Sequence, residues 1–307
     1  MVRRNGPGAS DDGCLSQAAS HRGGGSSAVP DGRGADVISP SMFRPLEQVD
    51  RRLLGALRLV DGNTGAVLRD PLLLSLPGAR VHRNRSGLWV LSDLPALAEY
   101  EAAFDAAPLL PAVGSIHLTA LVSDPSGRYL PRRVTLALPR DATPANAGLA
   151  DSLFRPIDIV LWPSPAAPTG ANWAVLRISV ADTVSGDALG GVLLRITRVG
   201  AILAQGLSDW RGEALVAVPG VPVTTWSDEP GAVVALEINA TLDAVFDPAV
   251  GTRTAITRVR AGIAPATLPS VDPDDLQARR ATLPGASVPV TLAAARSAAL
   301  NLSLALP

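Results

Sequence analysis

The chain has 307 residues, of which 47% are hydrophobic, 18% charged and only 4% aromatic, so it is long enough for two modules with aliphatic cores. All 27 basic residues are arginines, and with 28 acidic residues the formal net charge is −1, which offers no positive field for nucleic acid or an anionic membrane. The single cysteine, Cys14, excludes an internal disulfide framework and a zinc site built from several cysteines.

Residues 1–44 are rich in glycine, serine, aspartate and arginine and include Gly23-Gly24-Gly25-Ser26-Ser27. Such a segment has too few bulky apolar residues to offset its ordering entropy, so the sequence predicts a disordered tail. The segment lacks the apolar run of a secretory signal, and no stretch approaches the roughly 18 apolar residues that span a bilayer. The expected compartment is therefore the cytoplasm, although release by cell lysis or export without a signal is compatible with the same sequence.

Residues 45–162 are predicted to form a first β-sandwich module. A strand over Leu54–Val60 ends at the turn Asp61-Gly62-Asn63-Thr64-Gly65, whose residue types reverse the chain. Further short runs rich in β-branched residues predict strands, and one short helix is expected at 96–104. The predicted strands are 117–124, 133–139 and 157–162.

A proline-rich linker is predicted at 163–172, followed by a second β-sandwich module at 173–307. In the strand 192–199, alternation places Val192, Leu194 and Ile196 on one face of the sheet. Other strands are predicted at 174–182, 213–218 and 232–240. The residues after Thr241 either complete the second sandwich or form a partial third sheet, and a short helix is expected after Val271.

A pattern of turn residues occurs twice in the chain. Asp61-x-x-Thr64-Gly65-x-x-Leu68 matches Asp182-x-x-Ser185-Gly186-x-x-Leu189 at an offset of 121 residues, and Asn84-x-x-Gly87 matches Asp209-x-x-Gly212 at an offset of 125. A repeat at this spacing indicates two related modules rather than a short-period solenoid. Together with the short strands, it predicts an all-β fold of two antiparallel β-sandwich modules of transthyretin or immunoglobulin type.

The second copy of the pattern resembles the carboxypeptidase regulatory-like family, whose domains are transthyretin-like β-sandwiches. The matching residues are Asp182, Ser185, Gly186, Leu189, Gly191, Asp209 and Gly212. The resemblance implies an accessory, non-catalytic domain. The first copy fits more loosely, because Asp70 stands where the second copy has Gly191. More broadly, the arrangement of the whole chain resembles bacterial proteins associated with phage-tail-like contractile injection particles.

Few residues suit catalysis or metal binding. The only histidines are His21, His82 and His117, and the latter two are expected at surface positions rather than as zinc ligands. The acidic run Asp272-Pro273-Asp274-Asp275 is more typical of a helix N-cap than of a cation site. Arginine pairs such as Arg132-Arg133 are expected on solvated faces. We therefore predict no catalytic residues, no metal site and no cofactor.

The five tryptophans are the other candidates for a binding role, because flat apolar rings stack on sugars. Trp210 and Trp226 fall at turn or strand-end positions and are the predicted binding surface; the others, Trp89, Trp162 and Trp173, are expected to fill the core or its edges. The sequence thus predicts a non-enzymatic structural or adaptor protein whose partners are proteins of a larger assembly. The alternatives are a carbohydrate- or cell-surface-binding module and a hydrolase whose site combines distant residues.

Overall fold

The computed structural model describes residues 52–221 and 237–306. The predicted N-terminal tail, Cys14, His21 and Trp226 lie outside these residues. In the described part the chain is mostly strand, arranged in several largely antiparallel sheets, which confirms the all-β sandwich fold. The strands are β1 (Gly55–Asp61), β2 (Leu73–Ser75), β3 (Arg80–Arg83), β4 (Trp89–Ser92), β5 (Ile116–Ser123), β6 (Arg132–Leu138), β7 (Ile157–Leu161), β8 (Ala174–Asp182), β9 (Ala188–Gly190), β10 (Leu193–Arg198), β11 (Ala201–Leu207), β12 (Glu213–Val218), β13 (Glu237–Val245), β14 (Thr252–Thr254), β15 (Gly285–Ala293) and β16 (Ser297–Leu304).

Strands β1–β7 form two sheets, with the orders β3-β4-β1-β7 and β2-β5-β6. Pairing is antiparallel except between β1 and β7, which run parallel; the long stretch of chain between them supplies the crossover that parallel strands need. The two sheets enclose an aliphatic core that includes Leu57, Leu91, Leu136 and Ile159. Such a core suits a chain with so few aromatic residues.

Strands β8–β16 form the other two sheets. One has the order β11-β10-β13-β15, and the second has the order β12-β8-β9-β14 with β16 beside β8. The residues after Thr241 therefore complete the second sandwich through β13, β15 and β16, so no third module is formed there. β16 runs parallel to β8 along its full length.

The predicted alternation in β10 is confirmed. Val192, Leu194 and Ile196 lie in the core of the second sandwich, whereas Leu193 lies on the opposite face in a separate apolar cluster. Strands β8 and β12 have the predicted bounds. Of the predicted strand 232–240, residues 232–236 lie outside the described residues. β13 continues past residue 240 to Val245 and pairs with both β10 and β15 over this stretch.

The helices are short. The structure has α1 (Ala98–Ala102), α2 (Ile256–Arg260) and α3 (Pro273–Arg279). α1 and α3 confirm the two predicted helices. Asp272 is the N-cap of α3, since its side chain accepts a hydrogen bond from the Asp274 N–H. α2 was not anticipated; it buries none of its residues.

The proline-rich segment 163–172 has no regular strand and packs against the outer face of β8 and β12. The Ser164 N–H donates to the Arg128 carbonyl at 2.8 Å, and Ala167 is buried with Val175 and Leu215. The described residues lie in one compact unit, Val49–Pro307. The proposed boundaries at 45–162, 163–172 and 173–307 stay a prediction.

Candidate functional site

The first of the duplicated turns is held by the carboxylate of Asp61. Its Oδ1 accepts hydrogen bonds from the backbone N–H groups of Asn63 and Thr64, at 2.9 and 2.8 Å, and from the Thr64 hydroxyl at 2.9 Å. Gly65 then reverses the chain with a φ of 69°, a value that favours glycine. This is an Asx turn, as the sequence pattern predicts.

The second turn repeats this geometry at Asp182. Its carboxylate accepts hydrogen bonds from the Val184 and Ser185 N–H groups and from the Ser185 hydroxyl, and Gly186 has a φ of 71°. Asp182 is also ion-paired with Arg253, in β14. The repeated residues therefore serve as turn scaffolding in both modules.

Trp210 lies in a third turn of this kind, from Asp209 to Gly212. The Asp209 carboxylate accepts hydrogen bonds from the backbone N–H groups of Arg211 and Glu213. Trp210 is half-buried and lines an apolar cavity of about 50 Å³ between the two sandwiches. The cavity is also lined by Leu130, Pro131, Leu207, Leu268, Pro269 and Val271.

The predicted binding surface is thus only partly placed by the structure. Trp210 faces the junction between the sandwiches, and Trp226 lies outside the described residues. The other half-buried rings are Trp89 in β4 and Trp173 before β8, whereas Trp162 is buried. The joint surface of Trp210 and Trp226 stays a prediction.

The junction between the sandwiches contains a buried arginine, Arg132, whose exposed fraction is 2%. Its Nη1 donates to the Val160 carbonyl at 2.7 Å, and its Nη2 donates to Asp274 Oδ2 at 2.8 Å. Its guanidinium also lies 5.4 Å from the ring centroid of Trp162. Arg132 therefore joins two strands of the first sandwich to α3 of the second.

The burial of Arg132 corrects the expectation that the Arg132-Arg133 pair lies on a solvated face. β6 alternates, so that Arg132 points to the same side as Val134 and Leu136 while Arg133 is exposed. The burial is tolerated because the guanidinium donates to a carbonyl and a carboxylate. The alternation was visible in the sequence, whereas the partners across the junction were not.

Backbone contacts continue the junction alongside Arg132. The Arg133 N–H donates to the Val271 carbonyl at 2.8 Å, and Asp272 Oδ2 accepts from both the N–H and the hydroxyl of Thr135 at 2.9 Å. Asp272 therefore caps α3 with one oxygen and binds β6 with the other. Segment 271–272 is in effect a short extension of the first sandwich.

An apolar cluster underlies these polar contacts. It combines Trp162 of the first sandwich with residues of the second sandwich, and Leu130 and Val160 pack against it. Such burial stabilises the joined state by roughly 25 cal/mol per Å² of apolar surface removed from water. The cluster's second-sandwich residues are Leu193, Leu207, Val245, Val271 and Leu276.

A second pocket, of about 200 Å³, lies between the first Asp turn and the proline-rich segment. It is lined by the half-buried ring of Trp173 and by Tyr129, whose hydroxyl donates to Asp61 Oδ2 at 2.8 Å. Arg128 and Asp70 also line it, with Arg128 Nη1 and Asp70 Oδ1 3.9 Å apart. The pocket therefore combines an aromatic surface with charged groups of both signs.

A third pocket is an open groove of about 360 Å³ on the outer face of β12, β8 and β16. Arg177 of β8 and Arg211 stand on this face with Glu213. Ala299 and Asn301 of β16 form the far side. Neither this groove nor the Trp173 pocket was predicted, because their residues converge only through strand pairing and the docking of the proline-rich segment.

Three ionisable groups in or beside the turns, Tyr129, Asp124 and Asp182, have shifted pKa values. Burial, followed by the hydrogen bond to Asp61, raises the pKa of Tyr129, so its hydroxyl stays protonated at neutral pH. Burial alone would raise the pKa of Asp124, but hydrogen bonds from Ser126 and from nearby backbone N–H groups outweigh it and lower the pKa. The pKa of Asp182 is lowered, chiefly by the hydrogen bond from the Ser185 hydroxyl.

The histidines of the described part are exposed, as predicted, with His82 on β3 and His117 on β5. These strands belong to different sheets. Within residues 52–221 and 237–306, no group of three or more His, Cys, Asp or Glu side chains is arranged to hold a metal ion. No helix in these ranges combines the length and the apolar character needed to cross a membrane.

The chain resembles several solved structures, two of which come from Bacillus species. No protein-family model matches the sequence, and no curated protein matches it. The chain is similar to the Bacillus anthracis TIE protein, with 11% identity and a TM-score of 0.20, over 82% of this chain and 34% of that chain. It is also similar to BcpA, the major pilin subunit of Bacillus cereus, with 9% identity and a TM-score of 0.20, over 83% and 69% of the two chains.

The chain thus spans about a third of the length of the TIE protein. The resemblance to the carboxypeptidase regulatory-like family stays a prediction from the turn residues.

Proposed function

We propose that the chain is a non-catalytic structural protein that acts as an adaptor within a larger assembly. The observation that carries this proposal is the junction, where a buried arginine, paired backbone segments and an apolar cluster join the two sandwiches. A junction of this kind fixes the spacing and orientation of the surfaces on either side. Fixed spacing between binding surfaces is what an adaptor requires.

The finer form of the proposal, which specifies the assembly, is that the chain belongs to a phage-tail-like contractile injection particle. Its support is the resemblance of the whole arrangement to proteins associated with such particles. In that case the chain acts in the cytoplasm and is released with the particle. Its partners are then other proteins of the particle, bound through exposed strand edges and loops.

The test is the sedimentation of the native chain. A lysate of the organism that carries the gene is fractionated by size without denaturant, and the chain is followed with an antibody. We expect it in a high-molecular-weight fraction together with neighbouring tail-like proteins. A chain that is entirely monomeric in the lysate would contradict the adaptor function, and a high-mass complex without tail-like proteins would contradict only the finer form.

The Trp173 pocket favours carbohydrate binding as a second candidate function. The half-buried ring of Trp173 lines this pocket beside Asp70 and Arg128, so the pocket offers an aromatic surface together with hydrogen-bond donors and acceptors. The candidate site therefore differs from the predicted one, since Trp210 faces the small apolar cavity at the junction.

Glycan arrays and polysaccharide pull-downs test this second function. We expect the signal to disappear in Trp173→Ala and to persist in Trp210→Ala. Because Trp173 also packs against Ala167 and Val175, thermal unfolding of each variant serves as the folding control. No signal with the wild-type protein on either assay would reject carbohydrate binding.

A further inference from the structure

Strand β16 is an open edge of its sheet. It pairs with β8 on one side, and the described residues place no strand on its other side. The Val175 N–H donates to the Arg296 carbonyl, and the Thr183 N–H donates to the Leu304 carbonyl. The even-numbered residues of this segment therefore bond to β8. In a parallel ladder the N–H and C=O groups of the odd-numbered residues then point away from β8. The residues with outward-directed groups are Ser297, Ala299, Asn301 and Ser303.

β16 also lacks the features that usually block the pairing of an edge with another chain. Its eight residues include no charge and no proline, whereas the edge strand β15 contains Pro289 and the edge strand β3 contains Arg80 and Arg83. The edge strand β11 is uncharged too. It packs closely on β12, because a Cβ added at Gly206 of β11 would lie only 2.9 Å from the Leu215 carbonyl oxygen of β12. Within residues 52–221 and 237–306, β16 is therefore a long edge that no other strand covers.

The groove beside β16 contains a cation without a carboxylate partner. Arg177 of β8 is exposed on the outer face, and its Nη1 donates only to the Pro165 carbonyl, at 2.7 Å. Among the described residues no carboxylate pairs with it. The neighbouring Arg211 is, by contrast, ion-paired with both Asp209 and Glu213. The groove therefore favours an incoming negative charge at Arg177.

We propose that β16 accepts an extended acidic segment of a partner protein as an added strand, with a glutamate or aspartate opposite Ala299 pairing with Arg177. The inference rests on the proposed adaptor function and names the chemistry of the partner. Ala299 is the register partner of Arg177 and carries only a methyl group. Neighbouring strands lie about 4.8 Å apart, so the added strand lies roughly 10 Å from β8. A long acidic side chain and the arginine meet across this distance above Ala299.

A pair of synthetic peptides tests the proposal. Each has eight residues, as β16 has, and alternates valine and threonine, with either glutamate or glutamine at one central position. We expect the wild-type chain to bind the glutamate peptide about three- to fivefold more tightly, as a partly exposed ion pair predicts. Fluorescence anisotropy of the labelled peptides provides the dissociation constants.

Two controls separate the charge from the backbone pairing. Arg177→Gln should remove the preference for glutamate, and Arg198→Gln, which removes an exposed arginine of β10, should retain it. A glutamate peptide with alternate N-methyl groups should lose its affinity for the unchanged protein, because it cannot donate to the edge. Thermal unfolding confirms that both variants are folded.

Three results would overturn the inference. The first is equal affinity of the wild-type chain for the two peptides, or no measurable binding of either. The second is a preference for glutamate that persists in Arg177→Gln. The third is a wild-type dimer whose β16 amides are protected from hydrogen exchange, since a second copy would then occupy the edge. Any of these results leaves the adaptor function standing if the native chain still sediments with an assembly.

Discussion

Arg132 is the side chain on which the junction depends most. It is almost wholly buried, and it bonds a carbonyl of the first sandwich and a carboxylate of the second. A buried guanidinium is costly to desolvate, so its contribution depends on keeping every partner in place. Its loss would leave the Val160 carbonyl and the Asp274 carboxylate with fewer partners at the junction.

We expect Arg132→Ala to lower the free energy of unfolding by ~3 kcal/mol, because it removes both the buried charge pairing and the packing of the side chain on Trp162. Urea denaturation monitored by tryptophan fluorescence measures this change. The matched control is Arg133→Ala, which alters the next, exposed residue of the same strand and should change stability by less than ~0.5 kcal/mol. Equal effects of the two substitutions would show that Arg132 does not hold the junction.

Asp182 makes the stability of the second turn dependent on pH. Its pKa in the folded chain is lowered, chiefly by the Ser185 hydroxyl, so it lies below the value of about 3.9 expected for an unfolded aspartate. A lowered pKa contributes stability above the unfolded value, and this stability is lost as the pH falls through the folded value. The part of the stability that depends on Asp182 should therefore be lost on acidification below about pH 4.

We expect the melting temperature of Asp182→Asn to fall less steeply on acidification than that of the wild-type chain, because the variant has no carboxylate to protonate at this position. Thermal melting temperatures recorded between about pH 6 and pH 2.5 test this, since the range spans the ordinary aspartate pKa. The control is Asp105→Asn, which changes an exposed aspartate outside the turns. An unchanged slope in Asp182→Asn would contradict the assignment of the shift to this carboxylate.

At the scale of the element, glycines at the turns differ in what surrounds them. Gly186 and Gly212 both have φ values above 70°, but nothing lies within 4 Å of a Cβ at Gly186. A Cβ at Gly212 would overlap the Val180 carbonyl oxygen and approach Ala188. The third turn is therefore packed against β8 and β9, and the second turn is open.

We expect Gly186→Ala to cost about 1 kcal/mol, the strain of a left-handed alanine, and Gly212→Ala to cost ~3 kcal/mol because overlap adds to this strain. Chemical denaturation of the two variants measures the difference. Similar costs at the two positions would mean that the Asp209–Gly212 turn moves freely away from β8.

Many of the longer strands and the two Asp turns of this fold were predictable from the sequence because their signals are local, whereas short strands such as β2, β9 and β14 were not. Alternation identified β8 and β10, and the Asp-x-x-[Ser/Thr]-Gly pattern identified two Asx turns that the structure confirms. The junction was not predictable, because nothing in the sequence distinguishes Arg132 from the other arginines. Its role follows only from the fold, which places Asp274 and Val271 beside β6. The parallel pairing of β16 with β8 also depends on contacts more than 100 residues apart in sequence.

The same limit applies to the candidate sites. The prediction that His82 and His117 are surface residues is confirmed, because alternation determines which face of a strand is exposed. The Trp173 pocket and the groove at Arg177 each combine residues from separate segments, so no local pattern indicates them. Trp210 was placed at a turn correctly, but its position at the junction follows from the packing of the two sandwiches.

At the scale of the whole molecule, the junction makes two sandwiches behave as one body. Its apolar cluster is continuous across both, and Leu276 of α3 is fully buried in it. Segment 271–272 and β6 are joined by backbone hydrogen bonds rather than by side chains alone. An adaptor with a flexible linker would not need such contacts.

The rigidity of the junction is tested most directly by a distance distribution between spin labels on the two sandwiches. Cys14→Ser removes the native thiol, and Thr119→Cys on β5 and Arg198→Cys on β10 place labels at exposed strand positions. Double electron–electron resonance should show one narrow distance in this parent and a broader distribution when Arg132→Ala is added. A broad or multiple distribution in the parent itself would contradict a rigid two-sandwich body.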